Sequence, residues 1–289
     1  MKRGFNVLFL SLATAFWGLS VVSQAVGGRT RRPFTFNSAR FAVSVAALLP
    51  CLWLFRSYRT FADTKRELLT GGGLCGLALF CCINLQQTAL HYVPAGNAIF
   101  ICSLYMVMVP VVKYAFGVRG SPALWLAVVL ACAGMWLLSA AGGLALSFGE
   151  MLCLGCAVGY TCHILLLERY APRVDCFALT TVQFAVVAVL STAAMFAFES
   201  PEWSSVAAGW RPVLYSGVVS GSIAYTLQAL GQRNYDASAA SLILSLETVF
   251  GAVGAWLILD QAMSGREISG CVLVFAAVLL AQVPAVKRA

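Results

Sequence analysis

Charge is what this sequence has least of. Only 10% of its 289 residues are Asp, Glu, Lys or Arg, against about 25% in an ordinary soluble domain, which excludes a water-soluble fold with a solvated shell. Histidine is rarer still, with two in the chain, and neither a P-loop nor an HExxH pattern occurs. Nucleotide-driven pumping and zinc hydrolysis therefore have no residues to carry them, and no enzyme activity, cofactor or metal is expected. No strongly basic face is concentrated anywhere either: the net charge of +8 is strung over many short segments, so nucleic acid is not an expected partner. The 11 Cys lie almost wholly inside apolar segments, where a thiol behaves as a small hydrophobe and no extracellular disulfide framework is set out.

What is abundant is apolar side chain, at 61% of the chain. It falls in runs of about 20 residues, the length that crosses a hydrocarbon core as a helix. Lipid cannot satisfy exposed backbone groups, and long runs without strict alternation favour helices over a barrel. Ten spans are predicted: 5–27, 35–55, 68–90, 95–117, 122–140, 149–167, 176–198, 211–233, 237–259 and 265–283. The first is longer than the apolar region of a signal peptide and is expected to be retained. With the N-terminus inside, cytoplasmic segments hold Lys2, Arg3, Arg56, Arg59, Lys65, Arg66, Lys113, Arg119, Arg169, Arg173, Arg233, Lys287 and Arg288. The opposite side holds Arg29, Arg31, Arg32, Arg211 and Arg266. Basic residues mark the cytoplasmic side, so both termini are expected there, with the Arg29 to Arg32 cluster discordant.

Sliding the chain against itself at an offset of 143 puts Trp17 on Tyr160, Phe34 on Phe177, and Arg40-Phe41 on Gln183-Phe184. At 142, Gln86 meets Gln228, and Ser103-Leu104-Tyr105 meets Ser245-Leu246-Glu247. Two repeats, 1–142 and 143–289, follow, each with five spans. Five is odd, so the second repeat enters the membrane from the opposite side, and a pseudo-two-fold axis in the membrane plane brings equivalent mid-helix positions together, where transporters bind substrate.

The run Ala240 to Glu247, ASLILSLE, with Val249 to Trp256 and Asp260-Gln261, resembles the closing repeat of EamA-type drug/metabolite transporters. Phe16-Trp17-Gly18, Arg40-Phe41 and AGNAIFICSLYMVMVP from Ala95 to Pro110 resemble the corresponding parts of the first repeat. The resemblance covers essentially the whole chain. It implies an all-α integral membrane protein of ten helices in two inverted five-helix repeats, and carrier-mediated movement, commonly efflux, of small metabolites such as amino acids, without an ATP site. Thr248 and Asp260 depart from the family's usual Pro and Glu. The expected address is a bacterial cytoplasmic membrane and the expected state a monomer or homodimer.

Glu247 lies about 15 Å into span 9, near the midplane. A carboxylate there faces a polar cavity, pairs with a base or stays protonated. It can serve substrate or proton, or merely bond one helix to another. Gly251 and Gly254 share its face, so another backbone can approach beside it. Arg40 is either a fork for a substrate carboxylate or an anchor that snorkels to headgroups. Trp17, Ser20 and Gln24 form a polar stripe that Tyr225, Gln228 and Gln232 repeat, and Asn84, Gln87 and His91 form another. Such stripes line cavities or knit helices. The resemblance supports Trp17 and Gln86 as cavity residues, and repeat equivalence places Tyr105 beside Glu247 and makes Tyr160 the counterpart of Trp17. The expected substrate site is thus Trp17, Arg40, Gln86, Tyr105, Tyr160, Gln228 and Glu247. Cys153 and Cys156 share a face with His163, but His163 lies about 10 Å along the axis from Cys156, too far for one ion. Lys113 is expected to snorkel. Amino acid export, with a proton-coupled or a facilitative mechanism, is the leading expectation. Export of cationic or guanidinium-like compounds and a non-transporting scaffold or receptor are the alternatives.

Overall fold

The computed structural model describes residues 3–27, 32–55, 61–93, 95–138, 147–201, 209–260 and 263–282. Among the described residues all regular structure is helical: α1 (Arg3–Gly27), α2 (Pro33–Leu54), α3 (Phe61–Ala89), α4 (Ala95–Cys102), α5 (Tyr105–Ala115), α6 (Pro122–Leu138), α7 (Phe148–Tyr170) and α8 (Cys176–Phe198). There follow α9 (Trp210–Leu214), a π-helical stretch (Tyr215–Ile223), α10 (Ala224–Gln232), α11 (Ala237–Leu244), α12 (Leu246–Leu259) and α13 (Gly265–Ala281). Each predicted span falls on helix. Seven helical stretches are long and apolar enough to cross a membrane, and Pro122–Leu138 is a shorter apolar helix. The repeat boundary at 142 and 143, the basic residues Lys2, Arg29, Arg31, Arg56, Arg59, Lys287 and Arg288, the Gln24 side chain and Gln261 lie outside what is described.

Local signals set the helix starts. Ser147 with Glu150 and Ser264 with Glu267 form capping boxes at α7 and α13, satisfying amides that the first turn leaves free. Asp175 and Asp236 cap α8 and α11 through Ala178 N and Ala239 N, both at 3.0 Å. Pro33 and Pro122 open α2 and α6, where a missing N–H costs nothing. Helix α3 begins before residue 68, and the exposed Lys65, Arg66 and Glu67 lie on that added stretch.

Polarity is arranged inside out. Asn37, His163, Gln183, Gln232, Ser241 and Ser245 are fully enclosed, whereas Ile268, Val272, Phe275 and Leu279 along one side of α13 are each more than half exposed. In water such an apolar face would be a liability, and in lipid it is the solvent-facing surface.

Helices pack mainly across the two halves: α6 with α13, α2 with α8 and the π stretch, α3 with α7 and α8, α1 with α12 and α10, and α4 and α5 with α7. Small residues permit this closeness. A Cβ on Gly18 would stand 2.6 Å from Gly251 N, so the expected backbone approach beside Glu247 is made by α1. Gly134 and Gly270 meet reciprocally: a Cβ on either would lie 2.7 or 2.6 Å from the other's carbonyl oxygen.

Candidate functional site

Two interrupted helices carry the site. Between α4 and α5 the chain turns through Ser103 and Leu104, and between α11 and α12 through Ser245. At both places bonding tightens to three residues: Met106 N to Ser103 O and Val107 N to Leu104 O at 3.0 and 2.9 Å, and Thr248 N to Ser245 O at 3.2 Å. Serine hydroxyls compete for the same carbonyls: Ser245 Oγ donates to Leu242 O at 2.7 Å and Thr248 Oγ1 to Ser245 O at 2.8 Å. Such tightened turns inside a helix mark hinges or sites. Tyr105 is the first residue of α5 and Glu247 the second of α12, so each follows a break and sits at a half-helix N-terminus.

The third irregular element is the π stretch, whose carbonyls are taken by side chains of other helices. Trp17 Nε1 donates to Ser220 O at 2.9 Å, and Ser44 Oγ donates to Gly217 O at 2.7 Å. Ser222 Oγ bonds back to Ser44 O at 3.0 Å. These bonds fix the Trp17 ring against Tyr225, centroids 4.8 Å apart. Tyr225 also meets Phe184 at 5.4 Å and the ring of His163 at 6.1 Å, while Phe184 stands edge-on to Phe41 at 5.0 Å. On the other wall Tyr105 and Tyr160 are edge-to-face at 5.8 Å, and Tyr160 Oη donates to Gln86 Oε1 at 2.9 Å. The tyrosines cluster around the two charges: Tyr105, Tyr160 and Tyr225 all lie within electrostatic range of Glu247, and Tyr160 and Tyr225 within that of Arg40.

Both charges are unpartnered. Glu247 is partly exposed, and among the described residues its carboxylate forms no hydrogen bond or ion pair. The Arg40 guanidinium lies over the rings of Phe41 and Phe36, at 4.8 and 5.5 Å to their centroids, and its buried Nε has no partner. Ring faces favour a cation but do not neutralise it.

Trp17, Arg40, Gln86, Tyr105, Tyr160 and Glu247 are thus brought into one neighbourhood of ring contacts, hydrogen bonds and charge interactions. Gln228 is 2% exposed on α10 with Oε1 unpaired, and no contact ties it to the aromatic walls. Asn84, from the third stripe, knits helices instead: its Oδ1 accepts from Asn37 Nδ2 at 2.8 Å, and its Nδ2 donates to Phe80 O at 2.8 Å and to Ser191 Oγ at 3.3 Å. His91, on that stripe, is exposed. His163 Nε2 is bonded to Gln183 Oε1 at 3.0 Å rather than to a cysteine, and the thiols of Cys153 and Cys156 lie against Cys102.

Sequence reasoning missed three features. Tyr225 was legible only as part of a stripe. The Phe41–Phe184 contact joins repeat-equivalent residues, and the offset of 143 that aligned them was the available signal. Lys113 does not simply snorkel: its Nζ bridges Glu168 Oε1 at 2.7 Å and Asp236 Oδ2 at 2.5 Å, and no local pattern announces that long-range pairing.

A lipid-facing helical bundle with interrupted helices and a polar, aromatic-walled interior defines an integral membrane transporter. The sequence profile of the EamA-like transporter family matches residues 4–140 and again 147–282, and the chain belongs to that family. It is similar to an uncharacterized transporter of Archaeoglobus fulgidus, 26% identical across 97% of this chain and 86% of that one. It is also similar to the uncharacterized transporter YwfM of Bacillus subtilis, at 24% identity across 97% and 94%. A crystal structure superposes with a TM-score of 0.82 at 22% identity, covering 98% of each chain, a likeness of fold alone.

Proposed function

We propose that this chain is a secondary or facilitative carrier that exports small organic metabolites, amino acids first among them, across a bacterial cytoplasmic membrane. Ten spans form two inverted repeats with both termini cytoplasmic, and substrate is exposed alternately to either side of the chamber. The observation that carries the reading is Glu247: an acid at a helix break among aromatic side chains, partly exposed and without a bonded partner among the described residues. An acid kept only to hold helices together would be bonded to one of them. The packing supports a two-fold relation between the halves, because exchanging them turns each major helix pairing into another observed one. The pairing of α1 with α10 corresponds to that of α7 with α3, and α1 with α12 to α7 with α4 and α5. Helices α2 with α8 and α6 with α13 correspond to themselves.

Thiol labelling tests the chamber. In a cysteine-free background, Glu247→Cys and Tyr105→Cys should react with a hydrophilic maleimide, whereas dry packing at both positions refutes a carrier. Counterflow in proteoliposomes with a pH dye inside tests coupling. Substrate-dependent proton movement that disappears in Glu247→Gln supports proton coupling through this acid, and movement of substrate without protons leaves facilitated exchange.

A further inference from the structure

One stretch of the interior is polar and largely unbonded. Tyr225, Gln228 and Gln232 follow one another at i, i+3 and i+7 on α10, and His163 on α7 and Gln183 on α8 stand beside them. The ring of His163 meets that of Tyr225 at 6.1 Å, its Nε2 meets Gln183 Oε1 at 3.0 Å, and Gln232 Nε2 donates to Ile164 O at 3.2 Å. Four polar atoms of this track are enclosed without a hydrogen-bond partner among the described residues: His163 Nδ1, Gln183 Nε2, Gln228 Oε1 and Gln232 Oε1, in residues at most 2% exposed. An enclosed polar atom without a partner costs more than an apolar one in its place, so packing alone would not retain four together. The track runs toward one end of the bundle. Beside Gln232, Asn6 of α1 donates to Gly231 O and Arg233 O at 2.8 and 3.0 Å, and Tyr235 Oη donates to Gln282 Oε1 just past α13, so this is the end where α1 starts and α13 stops. The Lys113 cluster closes that end: Glu168 lies five residues beyond His163 and Asp236 four beyond Gln232. At the offsets that align the repeats, His163, Gln183 and Gln228 fall on Ser20, Arg40 and Gln86. Arg40 and Gln86 belong to the site already described, and equivalent surfaces of inverted repeats serve the two sides of a membrane in turn.

We propose that His163, Gln183, Gln228 and Gln232 line the access path between the Trp17–Tyr225 ring pair and the end of the bundle where α1 starts and α13 stops, and that this structure holds the path shut beneath the Lys113 cluster. The proposal rests on the carrier reading and deepens it by assigning the residues of one access route, the cytoplasmic one when the N-terminus is inside. The lining is imidazole and amide, which mixes donors with acceptors and carries no fixed charge, so it suits water and a hydrated solute rather than a counter-ion. When the path opens, water satisfies the four unbonded atoms, and this offsets part of what opening costs.

The test uses the full chain, cysteine-free apart from one introduced Cys, in membrane vesicles of both orientations, with a membrane-impermeant maleimide as probe. Gln228→Cys and Gln232→Cys should react from the face where α1 starts, and Lys113→Met should speed both by roughly 2- to 30-fold, the shift that losing two partly exposed ion pairs allows. Ala229→Cys is the control: Ala229 is fully enclosed but belongs to the apolar cluster of Leu68, Leu167 and Leu179, and its rate should stay as it is. Gln228→Leu, in the chain with its own cysteines, gives a second reading that needs no Cys variant to fold. Gln228 Oε1 has no bond to lose, so the melting temperature should equal or exceed the parent's; a lower one makes Gln228 a residue that joins helices and overturns the proposal. Unchanged rates at 228 and 232 in the Lys113→Met protein, equal acceleration at 229, or reaction from the opposite face overturn it as well. Glu247→Cys, labelled in parallel, separates these results from failure of the carrier itself: a reactive thiol at 247 beside inert ones at 228 and 232 leaves a carrier with another path, and an inert one at all three removes both.

Discussion

Lys113 ties three helices at one end of the bundle. It stands in the last turn of α5, and its partners are Glu168 near the end of α7 and Asp236 at the cap of α11. Glu168 Oε1 also accepts from Ala237 N at 2.8 Å, so the cluster joins the two halves. The repeat-equivalent positions carry Ala255, Ala25 and Pro94, so the second repeat does not reproduce the cluster, and at the other end α8 is tied to α2 instead by Glu199, whose carboxylate accepts from Phe34 N and Thr35 N at 3.0 and 2.8 Å. Under alternating access with N-in topology, this asymmetry makes the cluster a latch that favours closure on the cytoplasmic side. Its size follows from exposure: the side chains are 13%, 30% and 52% exposed for Lys113, Glu168 and Asp236, so each pair contributes about 0.2–1 kcal/mol. Two pairs together give about 0.4–2 kcal/mol, which is roughly a 2- to 30-fold change in the balance of states. In inside-out vesicles, Lys113→Met should therefore raise the labelling rate of a single Cys at position 105 by roughly that factor. Glu168→Gln should fall between, since one arm survives. High salt should accelerate labelling of the parent and leave Lys113→Met unchanged, because exposed pairs are screened. An unchanged labelling rate in a folded Lys113→Met protein refutes the latch.

Three further perturbations bear on packing and chemistry. Gly134→Leu should destabilise the α6–α13 contact by about 1–3 kcal/mol, the range for overpacking, because the new side chain meets Gly270 O; a melting temperature equal to the parent's would contradict that closeness. Asn84→Leu leaves Asn37 Nδ2 without its acceptor and should cost about 1–3 kcal/mol of stability with little effect on apparent substrate affinity, whereas a selective loss of affinity would move Asn84 into the chamber. Trp17→Phe keeps an aromatic ring beside Tyr225 but removes the bond to Ser220 O; it should weaken transport more than it lowers the melting temperature, and the reverse order of effects would make Trp17 a packing residue.

The helical framework was legible because lipid leaves few choices: apolar runs of sufficient length must become helices, and capping residues such as Asp175 and Ser264 sit where the starts occur. The site was legible in composition but not in geometry. Hydropathy does not distinguish a continuous span from one broken at Ser103 or Ser245, since a tightened turn changes hydrogen-bond spacing without changing polarity. The π stretch is likewise invisible, because its cause is tertiary: Gly217 and Gly221 let α2 approach, and Ser44 supplies a donor. Depth along a helix says nothing about a side chain's direction: the Arg40 guanidinium lies over Phe36 and Phe41 of its own helix, while the Tyr225 and Tyr160 that share its electrostatic surroundings come from more than 100 residues away.

Divergence between the halves explains why the chamber has a direction as well as a centre. Where the repeats still agree, they build: Phe41 meets Phe184, and serines break both interrupted helices. Where they disagree, they place chemistry: indole against phenol at Trp17 and Tyr160, guanidinium against amide at Arg40 and Gln183, phenol against carboxylate at Tyr105 and Glu247. A symmetric chamber would offer a solute two equivalent poses and two like charges, which repel each other when both are ionised. Replacing one member of each pair removes that conflict and gives the solute a head and a tail. On the carrier reading, the pairs that match hold the fold and the mismatched pairs are the positions where a change should alter the choice of solute. Restoring symmetry by Arg40→Gln or Glu247→Tyr should leave the melting temperature near the parent's while changing which solutes are transported.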